Sequence, residues 1–350
     1  MVVEDLYDMH VPGWLLAIIC SYLSERTMTL KYQKATSTQR SLPGGYGAGT
    51  WLGGFLFIIK FNGICLRPPI PRPISGNKTI QLKFVDDATQ AATINLRKSL
   101  EPDRKVRPFP LKSCERTQMK LIPDENLLQK ELTRFQEETT RKKLVTNQKK
   151  TFVMSVNFSR KYAFPPEFNM GEENLEYRPV LKILGVMIQN DLKWDAQIDL
   201  MTKKASRTIW RLRRMKQLGV DEQTLAQFWK SEGRVHLEAT CPVWTGAITK
   251  RQSRSLSRVQ RKAVAAITIK EYERGCRELK LEELAVRRKQ IAKNFAEKTV
   301  KKSRHSDIFE QLPNPPTTRR GKKVWKEPIS HTRRHKNSPV PYLTNLLSNK

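Results

Sequence analysis

From Trp194 to Met215, apolar residues return at steps of three and four: Trp194, Ile198, Met201, Ala205, Ile209, Leu212 and Met215. Only an α-helix brings such positions onto one side, and a stripe this long must be buried against other elements. Lys203, Lys204, Arg207, Arg211 and Arg214 fall off the stripe. Gly219 is a natural stop for the helix, and Asp221 a natural N-cap for the next one. Apolar spacing predicts further helices over 222–238, 250–268 and 280–302. An apolar stripe with a basic opposite side suits a helix lying along a nucleic-acid backbone; a solvated charged face would carry the same pattern.

Charge points the same way. The chain has 65 Lys and Arg against 34 Asp and Glu, a net of +31. Residues 201–350 hold 36 basic and 13 acidic residues, a net of +23. Clustered cations of this kind supply most non-specific affinity for nucleic acid and make it salt-dependent. RNA and DNA are therefore the expected partners. Neither Trp14–Leu23 nor Trp51–Ile59 is long enough to span a bilayer, so no membrane partner is expected. No signal peptide is visible at Met1-Val2-Val3-Glu4-Asp5. The five cysteines are scattered, odd in number and without zinc spacing, which suits reduced thiols in the nucleus or cytoplasm.

The first half reads differently. Ile80 to Val85 is an apolar, strand-like run; Asp86 and Asp87 follow; Ala88 to Ile94 is β-prone again. That predicts a hairpin over 78–95 with both acids at its tip. Paired carboxylates on a rigid tip suit Mg²⁺, although a bare Asp-Asp is also what a solvated turn carries. Upstream, a Gly-rich loop from Pro43 to Gly49 runs through Thr50 into an apolar, helix-length stretch. Helices are expected over 12–24 and 49–60. Leu127, Leu128, Leu132 and Phe135 mark one face of another. Residues 151–158 and 181–188 are strand candidates, Arg67 to Pro73 a stiff Pro-rich loop, and Glu101 to Pro123 a longer loop.

Taken in order, these motifs resemble the reverse transcriptases of LINE-type, jockey-like retrotransposons. The Gly-rich loop is similar to that family's G-x-P-Q-G-x-x-L-G-x-x-L-F pattern, and Phe84-Val85-Asp86-Asp87 to its F/Y-x-D-D motif. Asn147-Gln148-Lys149-Lys150-Thr151 resembles N-x-x-K-T. Lys182 to Ile188 with Leu192-Lys193-Trp194 resembles K-x-L-G-V…L-x-W. Pro242-Val243-Trp244 and Val259 to Ala263 resemble the region after the palm. The likeness runs from about residue 12 to about 270.

The resemblance implies an α+β fold: an incomplete right-hand polymerase palm over 1–192, an antiparallel sheet with helices. A helical, thumb-like region over 193–302 and a basic tail without order over 303–350 would follow. It implies an RNA-directed DNA polymerase in which Asp86 and Asp87 help hold two Mg²⁺ ions for addition of a deoxynucleotide. Lys150 would assist the departing pyrophosphate. Gly49 and Thr50 would lie near nucleotide and template, and Lys203, Lys204, Arg207 and Arg211 along the nucleic acid. The chain departs from the family in two places. Gly47-Ala48 stands where Pro-Gln is usual, and the upstream metal-binding Asp is not found, since Asp5 and Asp8 lie in a stretch similar to the helix after that strand. The half-site should hold Mg²⁺ poorly, because unneutralised like charges raise each other's pKa. A fragment inactive by itself is expected; a non-catalytic nucleic-acid-binding remnant is the alternative.

Overall fold

A computed structural model describes residues 2–42, 44–45, 50–62, 79–84, 87–92, 127–158, 167–302, 308–309, 311, 317–318, 321–322 and 325–348. Gly49, Asp86, the Pro-rich run over 67–73 and the loop over 101–123 lie outside these residues. The fold is mixed α and β, with helices and small two-stranded sheets. The chain divides into two compact units, residues 1–153 with 161–177, and residues 154–160 with 178–350.

In the first unit, α1 (Val2–Asp8) packs against α2 (Gly13–Leu23) and α3 (Trp51–Asn62). Val2, Leu6, Ile19, Leu56 and Ile59 form the shared core. Asp5 and Asp8 are therefore helical, as the resemblance implies. Between α2 and α3 lies a nested hairpin, β1 (Thr27–Met28) paired with β4 (Arg40–Ser41) and β2 (Lys31–Tyr32) with β3 (Ala35–Thr36). All eight strand residues are exposed, so no apolar alternation marks them in the sequence. The expected hairpin is present: β5 (Thr79–Phe84) runs antiparallel to β6 (Asp87–Ala92). Its register corrects one detail. Asp87 pairs with Phe84 as the first residue of β6, so the two acids do not form the turn together. The described contact with α3 is at that helix's far end, where Lys83 Nζ donates to the Phe61 carbonyl at 3.3 Å.

Helix α4 (Leu127–Arg141) buries Phe135 beside Phe61 and packs Leu128 and Leu132 against Phe168, Met170 and Leu175. The Gln129 amide both donates to and accepts from the Asn169 backbone at 2.9 Å. Asn169 opens β8 (Asn169–Met170), which pairs with β9 (Glu173–Asn174). The strand expected over 151–158 shrinks to β7 (Phe152–Val153), held in parallel by β10 (Glu176–Tyr177).

The second unit opens with β11 (Val180–Ile183) and β12 (Val186–Gln189). A single strand over 181–188 was the expectation; the chain instead reverses at Leu184 and Gly185, whose φ angles are +47° and +86°. Two successive positive φ values make a hairpin turn that glycine eases. Helices α5 (Asp195–Gln217), α6 (Glu222–Phe228), α7 (Arg234–Glu238), α8 (Cys241–Trp244), α9 (Lys250–Ile267), α10 (Tyr272–Glu278) and α11 (Leu284–Lys302) follow. The stretch over 222–238 is helical throughout, but its middle, Trp229–Gly233, is a π segment. The β11–β12 hairpin is tied to α5 by two side-chain hydrogen bonds. Gln197 Oε1 of α5 accepts from the Met187 amide at 2.9 Å, and Gln189 Oε1 accepts from the Ala196 amide at 2.8 Å.

Residues 303–350 were expected to lack order. Among the described residues they contain the short pair β13 (Thr317–Thr318) and β14 (Gly321–Lys322), then α12 (Arg333–Lys336) and α13 (Pro339–Ser348). Leu343 and Leu346 of α13 share a core with Ala292 and Ala296 of α11 and with Phe309. Pro339 opens α13, where its missing N–H costs nothing.

Candidate nucleic-acid interface

The stripe read from the sequence is the buried side of α5. Ile198, Met201, Ala205, Ile209 and Leu212 are buried, and Trp194 and Met215 pack against the same core. Burial of each large side chain contributes roughly 1.5–3 kcal/mol. The core is completed by Leu225, Trp229, Leu237, Trp244, Leu256, Val264 and Ile267. Asp195 in the first turn and Arg214 and Lys216 in the last complement the helix dipole. Gly219, at φ +81°, ends the helix, and its amide donates to the Lys216 carbonyl at 3.0 Å. Asp221 then caps α6 as expected, its carboxylate accepting from the Gln223 and Thr224 amides at 3.0 and 2.9 Å. Hydrogen bonding from the Thr224 side chain first, then from these amides, holds its carboxyl below the ordinary range.

With one side of α5 fixed in the core, the other side is fixed in water. Lys203, Lys204, Arg207 and Arg211 are exposed on it together, joined by Arg213, Arg214 and Trp210. Beyond Asp199 the helix carries no acid. Thr202, Lys203, Ser206 and Arg207 line an open depression on it. Four of the expected contact residues are thus brought onto one surface.

A second basic face went unread in the sequence. Helix α9 starts from a capping box, Thr249 with Gln252, and buries Leu256, Val259, Ala263, Val264 and Ile267. Its exposed positions include Lys250, Arg251, Arg254, Arg258, Arg261 and Lys262, and it contains no acid. The signal was available, since these cations fall off the apolar spacing just as those of α5 do. The two helices lie side by side and run in the same direction. Gln252 Nε2 donates to Asp195 Oδ1 at 2.8 Å at one end, and Lys216 Nζ donates to the Ile267 carbonyl at 2.6 Å at the other.

The expected catalytic residues fare differently. Asp87 is exposed at the start of β6. Thr50 caps α3, its hydroxyl accepting from the Gly53 amide at 3.0 Å and lying 3.0 Å from the Tyr22 hydroxyl. Lys150 is exposed in a short 3₁₀ turn, Gln148–Lys150. Asp5 is engaged elsewhere, in ion pairs with Lys142 and Lys60. Among the described residues no group of three or more His, Cys, Asp or Glu is placed to hold a metal ion. No helix among the described residues is long and apolar enough to cross a membrane. Comparisons with family models, with curated proteins and with solved structures find no match to this chain.

Proposed function

We propose that the chain is a fragment of an RNA-directed DNA polymerase of a LINE-type retrotransposon, inactive in polymerisation by itself, whose working property is binding of RNA and DNA. The observation that carries the binding part is the outer side of α5, where Lys203, Lys204, Arg207 and Arg211 are exposed opposite a buried stripe. The family part rests on the ordered motifs, with Asp86 and Asp87 as the remnant of a Mg²⁺ site. The β5–β6 hairpin around those acids is in keeping with it. The inactive part is supported by the upstream acids: Asp5 and Asp8 are on helix α1, and Asp5 is neutralised by two lysines. A non-catalytic binding remnant has the same binding surface; it differs in having no use for Asp87.

One set of measurements tests the reading. Affinity for a DNA duplex is titrated against salt, for the native chain and for a variant with Lys203, Lys204, Arg207 and Arg211 all changed to Ala. For every phosphate no longer neutralised, the log–log slope should flatten by about 0.9. An unchanged slope removes α5 from the interface. RNA-templated nucleotide incorporation with Mg²⁺ should stay at background in the same preparations. Incorporation that Asp86→Ala abolishes would overturn the inactive reading.

A further inference from the structure

At the centre of the basic face of α5 stands an aromatic ring that the charge pattern does not require. Trp210 is 70% exposed. Arg207 lies one turn before it and Arg214 one turn after, at the i−3 and i+4 spacings that make helical neighbours. Lys203 is a turn further back, and Arg213 lies at i+3. A large apolar side chain in water at such a position gains nothing for the fold, since the inner side of α5 already packs without it. Other exposed rings sit in different company. Trp51 is 98% exposed, but its neighbours at i+4 and i+7 are Phe55 and Ile58.

We propose that Trp210 is a stacking platform for an unpaired base and that the α5 face, flanked by cations that hold phosphates, is a site for single-stranded nucleic acid. The inference rests on the nucleic-acid reading above and narrows its partner. A duplex hides the faces of its bases within the stack and offers a protein its groove edges and backbone. A single strand offers both a backbone and free base faces. Proteins that bind single strands without sequence preference join a cationic track to exposed aromatic rings, because every base has a π-face. Arginine beside the ring adds to the grip, since its planar guanidinium also stacks on bases. Helix α9, packed beside α5, carries exposed cations of its own, among them Arg254 and Arg258.

The test compares the native full chain with Trp210→Ala and Trp210→Phe on three ligands: oligo(U), oligo(dT) and a mixed-sequence DNA duplex of equal length. Trp210 is exposed, so neither substitution disturbs the core. Trp210→Ala should weaken binding of both single strands by roughly tenfold, the order of one base stacked on one ring. Duplex affinity should stay within about twofold of native on the same account. The salt slope should not change, because every phosphate partner is still in place. Trp210→Phe should restore most of the loss. A loss on oligo(U) alone identifies RNA as the strand recognised, and one on oligo(dT) alone identifies DNA; either supports the site. Equal weakening on duplex and single strands overturns the stacking role, as does no effect on any ligand, which leaves Trp210 as an anchor for a protein surface. A native chain that binds none of the three overturns the nucleic-acid reading itself, and the two failures are thus told apart.

Discussion

Asp5 shows how one residue takes a structural part that its chemistry does not announce. The sequence sets it aside as a metal ligand because it falls in a helix; in the structure Lys142 and Lys60 hold it. Burial works to raise its carboxyl pKa, but the two ammonium groups outweigh burial and hold it below the ordinary 3.8. A carboxyl depressed in the folded state adds stability that is complete above its unfolded pKa and is lost as pH falls through the folded value. Asp5→Asn should therefore cost about 3 kcal/mol near neutral pH, the scale of breaking a buried pair. Urea unfolding of the two proteins should show that gap closing as pH is lowered below about 4. A gap independent of pH would mean that the Asp5 charge is not what holds α1 in place. Thr50 teaches the same lesson. Its hydroxyl was expected near a nucleotide and is spent on the first turn of α3. A capping residue and a phosphate-binding residue look alike in a sequence, because both stand just ahead of a helix.

At the scale of elements, legibility followed periodicity. Helices α5 and α9 and the helical stretch over 222–238 were readable because their apolar residues recur at helical spacing and Gly219 and Asp221 mark ends between them. The β5–β6 hairpin was readable because polar residues interrupt two β-prone runs. Elements without a buried face left no trace: the nested hairpin from Thr27 to Ser41 is exposed along all its strand residues. The turn at Leu184-Gly185 was hidden inside an apolar run that reads equally well as one strand. The two sides of α5 make the distinction measurable. Leu212 is fully buried, so Leu212→Ala should destabilise the helical unit by about 3 kcal/mol through reduced burial and the cavity left behind. Trp210→Ala, two residues away, should move the urea midpoint hardly at all. A comparable effect from both would show that the outer side is also packed.

For the whole molecule, composition misled at one end and informed at the other. A run rich in proline and basic residues after 303 reads as unstructured, yet α13 closes against α11. The overlooked sign was the spacing of Leu343, Leu346 and Leu347. Removing residues 339–350 uncovers Ala292, Ala296 and Phe309, and exposing that core without its two leucines should cost roughly 3 kcal/mol or more. Thermal unfolding of the shortened chain should show the drop; an unaltered midpoint would make α13 dispensable to the helical unit. Of the net +31, +23 lies in residues 201–350, and the basic outer sides of α5 and α9 are where much of it surfaces.

The straight run of α5 also sets a length. Lys203 and Arg214 stand eleven residues apart, which at 1.5 Å per residue is about 16 Å along the axis. A strand stacked as in a duplex, at about 3.4 Å per step, would cross that distance in roughly five nucleotides. The occluded stretch is therefore short, and a long strand has room for several copies of the protein in a row, each taking its own handful of phosphates.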